Sequence, residues 1–235
     1  MALKAALFDF GGTLLDMESD RRAHLATYDH LSEKLQLPIQ GRELHDAMET
    51  EIGPRKARAA GKWVSLKDLT RDAFFVVLPS LGYEVGEQDW SWFWGAYLSL
   101  HRQYLVPRPY AASVLQDARA LGLHVGLLSD VDQEFLGVAM EALHLRDAFD
   151  AVTTSDEVRV SKPARQMFLT ALEKARCAPR EAAYVGDSLE LDVAGAKALG
   201  MTAIHYAEDA CRKADFCVPN HQEISRILRE LCGAA

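Results

Sequence analysis

The chain has 235 residues, is 49% hydrophobic and 26% charged, and carries 26 Lys and Arg against 34 Asp and Glu for a formal net charge of −8. That composition excludes collagen-like, low-complexity and largely disordered chains, and a chain of this size buries enough surface to fold without a metal or disulfide staple. The negative balance and the scatter of the basic residues argue against a nucleic-acid partner, which needs clustered cations.

Leu3 to Phe10 is a predominantly apolar run, interrupted by Lys4 and Asp9 and closed by Gly11 and Gly12, the pattern of a buried parallel strand ending in a loop. From about Asp16 to Tyr104 the period is helical. Leu25, Tyr28, Leu31 and Leu35 share one face, a second segment runs from Ser65 through Leu78 with Ser65 and Asp68 at its start, and a third carries Trp90, Phe93, Trp94, Tyr97 and His101. After Pro107 and Pro109, short apolar runs at 123–128, 149–153, 182–185, 201–205 and 215–218 read as strands. Helical stretches at about 110–121, 132–144, 163–175, 190–199 and 221–231 lie between them. Alternation of this kind predicts right-handed crossovers and an α/β fold with a doubly wound, Rossmann-like parallel sheet. The predicted organisation is a core made of residues 1–15 and 105–235, with a helical insertion over 16–104 that is longer than any ordinary βα loop.

No run of 18 apolar residues occurs, which argues against a membrane-spanning helix. Cys177, Cys211, Cys217 and Cys232 form no C-x-x-C pair, so zinc-ribbon and thioredoxin-type patterns are absent and a reduced, cytoplasmic protein is expected. The N-terminal run is broken by Lys4 and Asp9 and lacks a cleavage site, so it reads as a strand and not as a signal peptide.

Ligands of open parallel sheets bind outside the carboxyl ends of the strands. Four short motifs fall at such positions: Asp9-Phe10-Gly11-Gly12-Thr13, Ser129-Asp130, Ser161-Lys162-Pro163, and Gly186-Asp187-Ser188 followed by Asp192. Each alone reads equally as a turn, a helix cap or a solvated lysine. The D-F-G letters lack the companion loops of a kinase. Together the motifs can converge carboxylates, a hydroxyl and an ammonium in one crevice. Carboxylates packed together raise one another's pKa unless a cation compensates them, and oxygen-only ligands favour Mg²⁺ over Zn²⁺.

In order and separation, the set resembles the haloacid dehalogenase superfamily. Asp9 with Thr13, Ser129, Lys162, and Asp187 with Asp192 match its four motifs, and the helical insertion resembles the cap of the branch holding phosphoglycolate phosphatases, phosphonatases and 2-haloacid dehalogenases. The resemblance implies a phosphatase acting on a small phosphorylated metabolite, with Asp9 as nucleophile, Thr13, Ser129 and Lys162 as its catalytic companions, and an aspartyl-phosphate intermediate. Gly12, Ser129, Asp130 and Lys162 would line the substrate phosphate, and Asp9, the Gly11 carbonyl, Asp187 and, through water, Asp192 would hold Mg²⁺.

Gly11 departs from the pattern, because phosphatases of the family place there a second Asp that serves as acid and base. Asp130, Asp16 and Glu18 are near enough in sequence to substitute. Dehalogenases place Tyr at this position and use no metal; phosphonatases place Ala and use a cap lysine, for which Lys56 and Lys62 are available. Alternative readings are therefore a dehalogenase or phosphonatase-like hydrolase, and a phosphate-binding regulator with little turnover. The cations Arg21, Arg22, Arg55, Lys56, Arg58 and Lys62 read as solvated helix faces, and the aromatic group Trp90, Trp92, Phe93, Trp94 and Tyr97 as core packing.

Overall fold

A computed structural model describes residues 3–58, 62–207 and 213–233. Cys211 and the Arg58 side chain lie outside the described residues. Six strands, β1 (Ala5–Phe8), β2 (His124–Ser129), β3 (Ala151–Thr154), β4 (Ala182–Gly186), β5 (Thr202–Tyr206) and β6 (Phe216–Val218), form one sheet in the order β3-β2-β1-β4-β5-β6. Every pairing is parallel. The strand order reverses between β1 and β4, so the crevice outside their carboxyl ends is where such a sheet binds ligands. β1 is shorter than its apolar run because the chain turns at Phe10, whose carbonyl accepts from the N–H groups of both Leu14 and Leu15 at 2.9 Å.

Four helices follow β1: α1 (Met17–Leu35), α2 (Gly41–Arg58), α3 (Leu66–Ser80) and α4 (Glu87–Tyr104). Asp16 starts α1 by accepting from the N–H groups of Glu18 and Ser19 at 2.7 and 3.0 Å. Ser65 starts α3 by accepting from the N–H of Asp68 at 3.1 Å, so of the two residues expected at this start Ser65 is the cap. Tyr28 and Leu31 are buried as expected and Leu35 packs partly, but the stripe of α1 is completed by Ala23 and Thr27, with Leu25 to one side. No separate periodicity marks α2, because its buried apolar side chains are Leu44, Met48 and Ile52, a stripe one residue wide among polar neighbours.

The remaining helices are α5 (Ala111–Ala120), α6 (Gln133–Ala142), α7 (Ser155–Val158), α8 (Arg165–Ala175), α9 (Ala194–Leu199) and α10 (His221–Cys232). The expected helix over 190–199 is divided: a π-helical turn over Leu189–Val193 precedes α9. Alternation along β1 divides the core. Ala6 and Phe8 join a continuous cluster with Phe10, Leu14, Tyr28, Phe74, Phe93 and Trp94, so the helices after β1 share the interior of one face of the sheet. Ala5 and Leu7 face a second cluster with Leu128, Met167, Phe168 and Tyr184. Asp132, in the loop after β2, ties that loop to the start of α3 by accepting from Ser65 Oγ at 3.0 Å and the Lys67 N–H at 2.9 Å.

Cys217 is disulfide-bonded, which departs from the expectation of reduced thiols throughout, while Cys177 and Cys232 are free. Among the described residues no helix is long and apolar enough to cross a membrane. The aromatic group packs as expected: Trp90, Phe93, Trp94 and Tyr97 are buried, and Trp92 stacks at the edge between His30 and Lys34.

Candidate active site

The ends of β1, β2 and β4 bring Asp9, Ser129 and Asp187 to the crevice, and the loop before α8 delivers Lys162 from the side. Lys162 Nζ lies 2.7 Å from Asp9 Oδ1 and 2.7 Å from Asp192 Oδ1, and all three residues are buried. Ser129 Oγ donates to the same Asp9 oxygen at 2.9 Å. Two donors on one oxygen fix the orientation of the Asp9 carboxylate before any ligand arrives. Asp130 accepts from the backbone N–H of Lys162 with both carboxylate oxygens, at 3.0 and 3.2 Å, and so holds the segment that carries the lysine.

Two glycines make room for this packing. Gly12 has φ +76°, and a Cβ there would stand 2.1 Å from Asp187 Oδ2; a Cβ on Gly186 would stand 2.4 Å from the Asp192 carboxyl carbon. Gly11 is different, since a Cβ there would meet only Met17 Sδ, at 3.7 Å.

Burial raises the Asp9 carboxyl above its ordinary range, with Lys162 pulling it back and Asp192 pushing it further up. Burial also disfavours the Lys162 ammonium, but Asp9, Asp192 and Asp130 outweigh it and hold its pKa above the usual lysine value. Asp130 and Asp187 are each pushed up to about 6, by desolvation first; Lys162 opposes this at Asp130, and Asp9 and Asp192 add to it at Asp187.

Asp9, Asp187 and Asp192 each offer one oxygen within 4.8 Å of the others. Three carboxylates against one ammonium leave a charge of −2, which one divalent cation neutralises, and an all-oxygen donor set suits a hard cation. The residues therefore fit Mg²⁺. Asp192 has the smallest capacity left for it, because its Oδ1 meets Lys162 and Tyr184 and its Oδ2 accepts from the Ser188 N–H at 2.9 Å.

The haloacid dehalogenase-like hydrolase pattern matches residues 3–200. The chain belongs to this family. Ribulose-1,5-bisphosphate 5-phosphatase of Halopiger xanaduensis is 32% identical over 134 residues, 55% of this chain and 54% of that relative, so the match spans about half of the relative's length. (S)-2-haloacid dehalogenase 1 of a Pseudomonas species is 25% identical over 202 residues, 86% of this chain and 83% of the relative. Among solved structures, a HAD phosphatase from Thermococcus onnurineus superposes with a TM-score of 0.72 at 29% identity, covering 96% of this chain and 98% of that one.

This hydrolase adds residues to the site that the motifs did not point to. Tyr184, on β4, places its hydroxyl 2.9 Å from the Leu128 carbonyl and 3.1 Å from Asp192 Oδ1, and accepts from Lys162 Nζ at 3.3 Å. His205 Nε2 donates to the Asp187 carbonyl at 2.9 Å, bracing the loop that carries this carboxylate. Thr13 is fully buried, and its hydroxyl has no hydrogen-bond partner among the described residues; its carbonyl accepts from His221 Nε2 at 2.9 Å.

Two of the three acids considered as substitutes at Gly11 are engaged elsewhere. Asp16 caps α1, and Glu18 pairs with Arg21 at 2.6 Å. Of the cations after β1, Arg55 pairs with Glu51 and Asp72, and Arg22, Lys56 and Lys62 are exposed, as solvated helix faces would be.

Proposed function

We propose that the protein is a Mg²⁺-dependent phosphomonoester hydrolase acting on a small phosphorylated metabolite, with residues 1–15 and 105–235 as the catalytic core and residues 16–104 as a helical cap. The observation that carries this reading is the buried bridge of Lys162 between Asp9 and Asp192, beside Ser129 and Asp187. Its net negative charge calls for a cation and its lysine for an anionic ligand. The phosphatase names among its relatives support the same class.

In this reading the Asp9 carboxylate attacks phosphorus in line, displacing the alkoxide and forming an aspartyl-phosphate that water later opens. Ser129 and Lys162 orient the nucleophile before binding and turn to the non-bridging phosphoryl oxygens once substrate is present. Thr13, with a buried hydroxyl at the end of the same loop, and Gly12 shape the pocket around the phosphate. Asp9, the Gly11 carbonyl and Asp187 would hold Mg²⁺, with Asp192 through water; the ion supplies neutralisation of the phosphoryl charge. Asp192 and Tyr184 keep Lys162 aimed at Asp9. Gly11 leaves the alkoxide without a side-chain acid at that position, so esters of acidic alcohols are the better substrates.

The test is a panel of phosphate esters with and without Mg²⁺, on the native protein and on Asp9→Asn. Aryl phosphates should be hydrolysed only with the metal and not by the variant; equal activity in Asp9→Asn would end the proposal. A second reading is favoured by Gly11 itself: a phosphate-binding regulator with weak turnover, for which phosphate binds and no ester on the panel is cleaved. Chloride release from a 2-haloacid without Mg²⁺ would move the assignment to the dehalogenase branch, to which the 202-residue Pseudomonas match also points.

A further inference from the structure

The helices after β1 hold a second cluster of metal-competent side chains that the proposed hydrolysis does not use. Asp20 and His24 stand one turn apart on α1 and face His101 of α4, and one ligand atom from each lies within 4.8 Å of the other two. His24 Nδ1 is 3.4 Å from His101 Nε2 and 3.5 Å from Asp20 Oδ2, and His101 Nε2 is 3.8 Å from Asp20 Oδ1. Four tetrahedral ligands at about 2.0–2.1 Å from an ion stand about 3.3–3.4 Å apart. Adjacent octahedral ligands at about the same bond length stand only about 2.9 Å apart. The imidazole spacing matches the tetrahedral case.

Tyr97 supplies a second, independent observation. His101 Nδ1 donates to the Tyr97 carbonyl at 2.7 Å, which fixes the proton on that nitrogen and leaves the Nε2 lone pair directed at the cluster. The His101 side chain is 0% exposed. Tyr97 Oη lies 2.9 Å from His24 Nε2. On both histidines, then, the nitrogen turned away from the cluster is held by Tyr97, the outer support that sets ring orientation and tautomer in metal-ligating histidines. A buried lone pair facing a carboxylate is repulsive unless a proton or cation stands between them. The His24 Nδ1 proton meets that need only in part, because the Asp20 carbonyl at 3.0 Å competes for it.

We propose that Asp20, His24 and His101 form a zinc site joining α1 to α4, with a fourth ligand position for water. Two imidazoles and a carboxylate are a zinc donor set, chemically distinct from the all-oxygen cluster at Asp9, Asp187 and Asp192. On binding, the His24 proton passes from Nδ1 to Nε2, and Tyr97 Oη changes from donor to acceptor toward it.

Zinc chloride titrated calorimetrically into EDTA-stripped protein should fill one equivalent. His24→Gln, at a partly exposed position, should weaken that binding by about 100-fold or more, whereas Asp187→Asn should leave it intact. Cobalt(II) bound in place of zinc should give the intense visible absorption of a four-coordinate ion, lost in His24→Gln. In the native chain, without any substitution, zinc should shift the nitrogen-15 resonances of His24 Nδ1 and His101 Nε2. Absence of zinc uptake, uptake unchanged in His24→Gln, or uptake abolished by Asp187→Asn would each overturn the assignment and leave the cluster as a hydrogen-bonded pair of histidines.

Discussion

Asp187 Oδ2 fills the position where a Cβ on Gly12 would stand, at 2.1 Å from that ideal atom. The two residues are far apart in sequence, yet the conformation of one sets the place of the other. Gly12→Ala should therefore do two things at once. It puts a side chain at φ +76°, costing about 1 kcal/mol of backbone strain, and it pushes the Asp187 carboxylate out of the crevice. We expect a small fall in urea-unfolding stability but a large loss of Mg²⁺ affinity in calorimetry. A variant that binds Mg²⁺ normally would show that Asp187 does not hold the ion.

Lys162→Met should be far more damaging to the fold than a surface lysine change. The ammonium is the sole cation bonded to Asp9 and Asp192 among the described residues, and removing one partner of a buried ion pair costs about 3–5 kcal/mol. Tyr184→Phe removes the hydroxyl that bonds the Leu128 carbonyl and accepts from Lys162, and should cost about 2 kcal/mol. Because Tyr184 touches both Lys162 and Asp192, that milder variant should still lose turnover, by about 10-fold, with little change in KM. Comparing melting temperature with kcat in the two variants separates holding the fold from aiming the lysine.

Much of this site was legible in the sequence for a physical reason. Asp9, Ser129 and Asp187 follow continuous apolar runs, and a buried parallel strand announces its carboxyl end by the change from apolar to Gly, Ser and Asp. Tyr184 was not legible. It sits inside such a run, where an aromatic reads as core, and its hydroxyl acquires a role only because Lys162 reaches across from the loop before α8. Asp16 and Glu18 looked equally able to serve as acids until helix α1 claimed one as its cap and Arg21 claimed the other. The Asp20–His24 pair has helical spacing that can be read along one chain segment, but His101 joins it only through the packing of α1 on α4. Burial of α2 along a single narrow stripe explains why no apolar face announced it.

Gly11→Asp should raise the hydrolysis of alkyl phosphates. The position has room, since a Cβ meets only Met17 Sδ at ordinary contact distance. A carboxyl there supplies general acid and base assistance worth about 10²- to 10⁴-fold. The gain in kcat/KM should be large for alkyl esters and small for aryl esters, whose leaving groups need no proton. No gain on either, with phosphate still bound, would mean that another acid, Asp130 being the remaining one of the three considered, already serves the leaving group.

His221 gives the fold a pH dependence of defined sign. It is fully buried at the start of α10, and its Nε2 donates to the Thr13 carbonyl at 2.9 Å. Desolvation lowers its pKa below the usual histidine value, helped by the charge of Arg108, although the backbone hydrogen bonds to Thr13 and Pro109 work the other way. The unfolded chain therefore binds a proton near pH 6.5 that the folded chain refuses until lower pH. Stability from this group is complete above about pH 6.5 and declines as the pH falls from there toward the lower folded value. His221→Gln keeps an N–H donor of similar reach and cannot titrate. Urea unfolding at pH 8 and pH 5.5 should show a smaller loss of stability on acidification in the variant than in the native chain. An equal loss in both would assign the acid sensitivity to other groups and place the His221 pKa at its ordinary value.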